Sequence, residues 1–171
     1  MLTKKMTELL NKQIELEAMA SQVYLAMASW AEVEGLEGTA RFFYEHSDEE
    51  RGHMLRLFHY INERGGHAIV PSLKSVPTKY KSVEDACTHL LEHEVKVTES
   101  INNLIDHTLG AKDYTTHHFL QWYVQEQLEE ERLARQILDK IKLIGSDKAG
   151  LFLLDRELGT PAPVKNTGGA T

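Results

Sequence analysis

Ser47-Asp48-Glu49-Glu50-Arg51-Gly52-His53 lies inside a stretch of helical periodicity and sets a carboxylate and an imidazole three residues apart. Three residues is just under one helical turn, so Glu50 and His53 project from one face and can grip a single metal ion. A lone E-x-x-H is weak, because helices hold many such pairs by chance. It gains force only when neighbouring helices aim carboxylates at the same point.

The helix carrying the pair is expected from about Gly38 to Arg64, with Gly65-Gly66 as its stop. Its inward positions are Ala40, Phe43, Ser47, Glu50, Met54, Leu57 and Ile61, so Glu50 interrupts an apolar seam. Gly52 costs about 1 kcal/mol in a helix interior, which points to close packing there. Upstream, from about Thr3 to Val33, the seam reads Met6, Leu9, Leu10, Leu16, Ala20, Val23, Met27 and Trp30. Glu17 falls on this seam between Gln13 and Ala20, with Tyr24 two turns further on, and Gly35 and Gly38 mark a tight turn.

Downstream, residues 65–81 carry two prolines and no clear period. That is longer than the usual link between adjacent antiparallel helices and suits a strand of chain running the length of a bundle. A third helix is expected from Ser82, its N-cap, to Leu109, with Gly110 ending it. Its seam is Val83, Ala86, Leu90, Glu94, Val97, Ile101, Leu104 and Thr108, again with a glutamate midway. A fourth, from Asp113 to Ile144, turns Leu120, Val124, Gln127, Glu130 or Glu131, Ala134, Ile137, Ile141 and Ile144 inward, and Gly145 closes it. Gln127 and Glu130 repeat the three-residue spacing. The segment Ala149 to Leu158 forms a short fifth helix, whose run Leu151 to Leu154 is too apolar to stay free and is expected at a subunit junction. These elements predict one all-α domain over residues 1–159, and the Pro-, Gly- and Thr-bearing tail 160–171 is expected to be disordered.

Composition narrows the function. A formal charge of −7 argues against a general nucleic-acid binder. The single cysteine, Cys87, allows no intrachain disulfide and no thiolate zinc site, and reads as a small buried filler. No apolar run approaches the ~18 residues of a membrane span, and a cytoplasmic protein is expected.

Four long helices thus each carry acid at a mid-length seam position: Glu17, Glu50, Glu94 and Glu130, with His53 and Gln127 alongside. Each alone has an even chance of being a surface glutamate placed in the wrong register; four at matching heights do not. Burying an isolated carboxylate costs several kcal/mol, so four together require a cation, and without one their pKa values should rise. Oxygen donors with one imidazole suit iron or manganese, and zinc less specifically.

The chain resembles the ferritins, and most closely the non-haem bacterial ferritins, over nearly its full length. The matching residues are Glu17 with Tyr24, the block SDEERGHM from Ser47 to Met54, Glu94, and FLQWYVQEQLEEE from Phe119 to Glu131. The resemblance implies a ferritin-like four-helix bundle with a long crossover between the second and third helices and a short fifth helix. It implies one iron on Glu17, Glu50 and His53, and a second on Glu50, Glu94 and Glu130, with Glu50 bridging. Gln127 would hydrogen-bond oxygen-derived ligands, and Tyr24 would assist as a nearby phenol. A third iron position falls on Glu49, Glu126 and Glu129. Bacterioferritins and rubrerythrins fit less well, because they are expected to keep histidine where Glu130 stands. Haem is disfavoured because Arg51 replaces the haem-binding methionine of bacterioferritins.

The implied activity is oxidation of Fe(II) by oxygen or peroxide, with ferric mineral stored in a hollow shell of twenty-four chains. The alternatives are a non-storing di-iron oxidase or peroxidase, which would keep the site without the shell, and a helical interaction module. His89 and His93, one turn apart, flank the seam and are expected at the surface. Trp122 is expected to pack rather than react.

Overall fold

The computed structural model describes residues 1–160, so the expected disordered tail lies, apart from Thr160, outside the described residues. Among the described residues five helices make up the fold: α1 (Lys4–Val33), α2 (Glu37–Glu63), α3 (Val83–Ala111), α4 (Tyr114–Ile144) and α5 (Lys148–Leu158). Side chains cap four of the five N-termini: Thr3, Ser82, Asp113 and Asp147 accept from backbone N–H groups in the first turn. No described helix is long and apolar enough to cross a membrane.

The turn over residues 34–36 folds α2 back against α1, with Gly35 at φ 76 in the left-handed region. The crossover then runs along α1. Asn11 accepts from the Ile69 N–H at 2.7 Å and donates to the His67 carbonyl at 3.0 Å. At the other end Tyr80 packs edge-on against Trp30, ring centroids 5.5 Å apart. Asn11 and Trp30 are separated by ~28 Å of helix, so α3 starts where α2 started and runs parallel to it. Lys112-Asp113 reverses the chain into α4, which packs on α3.

The interior is divided. One apolar cluster holds Met27, Trp30, Phe43, Leu90 and Ile137. The other holds Leu10, Ile14, Leu57, Ile101 and Leu120. Gln13, Glu17, Ser21, Ser47, Glu50, His53, Glu94, Gln127 and Glu130 are buried between them, toward mid-bundle height, while the buried Thr39, Thr108 and Thr116 lie near the helix ends.

Several details depart from the sequence expectations. Gly110 lies within α3; the residue that ends the helix is Lys112, at φ 55. Val124 is exposed, and Tyr123 takes its inward place. Gly52 is exposed, and a Cβ there would meet nothing within 4 Å, so close packing does not explain it.

The fifth helix also docks on its own chain. The N-cap position of α2, Leu36, supplies no side-chain acceptor. Asp155 of α5 takes over: Oδ1 accepts from the Thr39 N–H at 2.8 Å and the Thr39 hydroxyl at 2.7 Å, and Oδ2 from the Gly38 N–H at 3.1 Å. The approach requires glycine, because a Cβ on Gly38 would fall 1.7 Å from the Asp155 carbonyl oxygen. Leu154 is buried, while Phe152 and Leu153 remain exposed. Asp155→Ala should cost about 1–2 kcal/mol at this cap, read as faster amide exchange through α5 and the first turn of α2. Unchanged exchange there would show that apolar packing alone holds α5.

Candidate metal centre

The mid-bundle layer collects Glu17 from α1, Glu50 and His53 from α2, Glu94 from α3, and Gln127 and Glu130 from α4. None is more than 5% exposed. Glu130 rather than Glu131 faces inward; Glu131 is bound at the edge by Thr98 and Arg135. Ligand atoms of Glu17, Glu50 and His53 lie within 4.8 Å of one another, and His53 Nδ1 is 3.3 Å from Glu50 Oε2.

Neighbours hold these groups in place. The Tyr24 phenol donates to Glu94 Oε1. The Gln127 amide donates to Glu94 Oε2 at 2.9 Å and to its carbonyl at 3.2 Å, leaving the Gln127 oxygen for other partners. Tyr123 donates to the His53 carbonyl at 2.8 Å. Trp122 packs edge-on against the His53 ring at 5.2 Å and is covered by Arg56, 4.3 Å above the indole. Trp122 therefore packs, as expected, and packs directly on the metal-binding imidazole candidate.

One turn from both Glu17 and Glu50, α1 and α2 meet at a serine pair. Ser21 donates to the Ser47 carbonyl at 2.8 Å and Ser47 to the Ser21 carbonyl at 2.7 Å. Their small size lets the backbones approach, and the reciprocal bonds set the height of Glu17 against Glu50.

Electrostatics mark the layer. Burial pushes the Glu17 carboxyl well above the usual range, helped by the negative charge of Glu50. Burial does the same to Glu50, helped by Glu94. Glu94 is also raised by burial, against the opposing hydrogen bonds from Tyr24 and Gln127. Burial raises the Tyr24 phenol well above its ordinary value, with Glu94 adding to it.

Two further groupings adjoin this layer: His46 with Glu49 and Glu130, and Glu49 with His53 and Glu126. Glu129 is half-buried and accepts from Gln125 at 3.0 Å. His46 was absent from the sequence expectations. Its Nδ1 meets the Phe42 carbonyl at 2.8 Å, and its Nε2 stands 3.6 Å from Glu130 Oε2. Its position seven residues, two turns, before His53 was the readable sign. His93 also differs from expectation. It is half-buried, edge-on to Tyr24 at 5.8 Å, and burial pushes its pKa down to about 4. His89 is exposed and Cys87 buried, as expected.

The ferritin-like domain family matches residues 7–144. The chain belongs to the ferritin family. It is 45% identical over 156 residues to a bacterial non-heme ferritin of Campylobacter jejuni, covering 91% of this chain and 93% of that one. It is 44% identical over 159 residues to a probable bacterial non-heme ferritin-like protein of Haemophilus influenzae, covering 93% and 96%. The open-pore ferritin of the archaeon Archaeoglobus fulgidus superposes with a TM-score of 0.93 at 39% identity, covering 95% of this chain and 100% of that one.

The raised carboxyl pKa values make a signed prediction. Glu17, Glu50 and Glu94 bind protons more tightly folded than unfolded. In metal-free protein their stabilising contribution is complete below the unfolded glutamate pKa of about 4.3. It is lost as pH rises through the folded values. Metal-free protein should therefore lose stability toward neutral and alkaline pH, and Glu50→Gln should recover on the order of 1–2 kcal/mol there, roughly 2–8 °C in unfolding midpoint. An equal gain at acid pH would refute the charge explanation.

Proposed function

We propose that the buried layer is a ferroxidase centre, which supplies the storage function of this ferritin with ferric iron. Iron is the substrate. Glu17, Glu50 and His53 hold one Fe(II); Glu50, Glu94 and Glu130 hold the other, with Glu50 between them. The observation that carries this reading is the convergence of four glutamates from four helices, with one histidine, at a height where the apolar core is interrupted.

The chemistry balances without a resident cofactor. Two Fe(II) ions each give up one electron, and one O2 takes both with two protons to form H2O2; where peroxide is the oxidant, the same two electrons and two protons yield two waters. Burial raises the proton affinity of Glu17, Glu50 and Glu94, so Fe(II) binding there displaces protons. Gln127 holds Glu94 through its amide nitrogen, and Tyr24 keeps a phenol one hydrogen bond from Glu94. Haem plays no part in this scheme.

A third iron position draws on Glu49, Glu126 and Glu129. Its support is the proximity of Glu49 to Glu126 and His53, and of Glu49 to His46 and Glu130. Carboxylate donors hold it more weakly than the imidazole-containing position, which suits iron in passage. Assembly into a homo-oligomeric shell of twenty-four chains accounts for exposed apolar residues on the crossover, Ile69, Val70 and Leu73, and on α5, Phe152 and Leu153. Fe(II) as substrate and a lone thiol fit a reducing, cytoplasmic compartment.

Glu50→Ala should slow initial Fe(II) oxidation at least about ten-fold while leaving the assembled mass unchanged in solution. An undiminished initial rate would sink the assignment. Converting Glu49, Glu126 and Glu129 together to Ala should leave two irons per chain in anaerobic titration but change the iron consumed per O2. If Fe(II)-soaked parent crystals show no third ion at high occupancy, that position should be discarded.

A further inference from the structure

Gln13 is a fully buried amide where the apolar cluster that holds Leu10, Ile14 and Ile101 gives way to the acidic layer. An unpaired amide there would cost several kcal/mol, and a methionine or leucine would pack as well without that risk. The amide is satisfied at both ends. The Ser100 hydroxyl of α3 donates to Gln13 Oε1 at 2.6 Å, and Gln13 Nε2 donates to Glu17 Oε1 at 2.8 Å. Gln13 precedes Glu17 by four residues, so the two stand one above the other on the inward face of α1.

From this chain of bonds we propose that Gln13, oriented by Ser100, is a positioning residue for the iron held by Glu17. The proposal rests on the ferroxidase reading above. Three consequences follow from the chemistry of an amide. The nitrogen is a donor only, so it offers no lone pair that competes for the metal and favours the ionised carboxylate. It occupies Glu17 Oε1 and leaves the rest of the carboxyl for a metal ion, with the Glu50 carboxyl as the other hydrogen-bonding group at Glu17. It also ties α1 to α3 beside the layer, so the Glu17 carboxylate is held from two helices. Ser100 anchors the carbonyl end of the amide by donating to Oε1, while the nitrogen donates to Glu17.

The test is anaerobic Co(II) titration of the assembled protein, following both affinity and the visible absorption bands, which report ligand geometry without turnover. Gln13→Met keeps the volume and removes the donor. It should weaken the tighter Co(II) site about ten-fold and alter its bands, as loss of a partner behind a metal ligand does, while the metal-free unfolding midpoint stays level or rises. Ser100→Ala should weaken the site in the same direction, and Ser100→Thr, which keeps the hydroxyl, should restore parent affinity. Parent-like affinity and bands in both Gln13→Met and Ser100→Ala overturn the proposal. Equal losses in Ser100→Ala and Ser100→Thr assign the effect to packing and overturn it too. If Gln13→Met does not assemble, the Ser100 pair decides alone. A parent that binds no Co(II) in the layer overturns the ferroxidase reading and this proposal together.

Discussion

Charge that cannot stay buried alone governs this structure. Glu17, Glu50, Glu94 and Glu130 are withdrawn from water between two apolar clusters, and burial raises Glu17, Glu50 and Glu94 toward neutrality. Such a layer is stable with protons or with cations, and protons are the weaker solution near neutral pH. The fold accepts the cost in a form that a metal can reverse. Everything else at mid-bundle follows from keeping those groups in place while they wait.

The means of keeping them are small hydrogen-bonded pairs rather than bulk. Ser21 and Ser47 lock α1 to α2 one turn from Glu17 and Glu50. Gln13 and Ser100 link α1 to α3. Gln127 links α4 to α3 through Glu94. Each of the four helices is thus tied to a neighbour by a polar contact at the height of the layer. Apolar packing specifies helix positions loosely enough to tolerate slippage of a fraction of an ångström, and a ligand set tolerates little. Directional bonds supply the difference.

The legible part of the sequence was whatever imposed a period. Glu50 and Glu94 each replace one apolar residue in an otherwise unbroken seam, and that substitution can be seen without coordinates. So could the crossover, from length and prolines, and the N-cap Ser82, from side-chain type. What escaped depended on partners distant in the chain. His46 sits on the same face as His53, but its meaning comes from Glu130, 84 positions away (130 − 46). Asp155 reads as an ordinary helix-surface acid until α5 is laid across the start of α2. His93 flanks its seam, and only the ring of Tyr24 shows that the flank is covered. Gly110 and Lys112 show the converse failure: glycine is the easier left-handed residue, yet the turn into Asp113 placed that conformation two residues later.

The proposed pair is unequal, and the inequality has consequences for turnover. One position has an imidazole, His53, backed by Tyr123 through its carbonyl and by Trp122 against its ring. The other has only carboxylate oxygens and the Gln127 amide, whose nitrogen is already engaged with Glu94. Nitrogen donors hold Fe(II) better than a purely oxygen set does, so the two positions should fill in order and empty in the reverse order. A site built to retain both ions would place a second histidine where Glu130 stands. Glu130 instead lies beside His46 and Glu49, which form the next grouping along. A carboxylate common to the weaker position and to the His46–Glu49 grouping can serve both in turn. That arrangement suits a centre whose metal is substrate rather than cofactor.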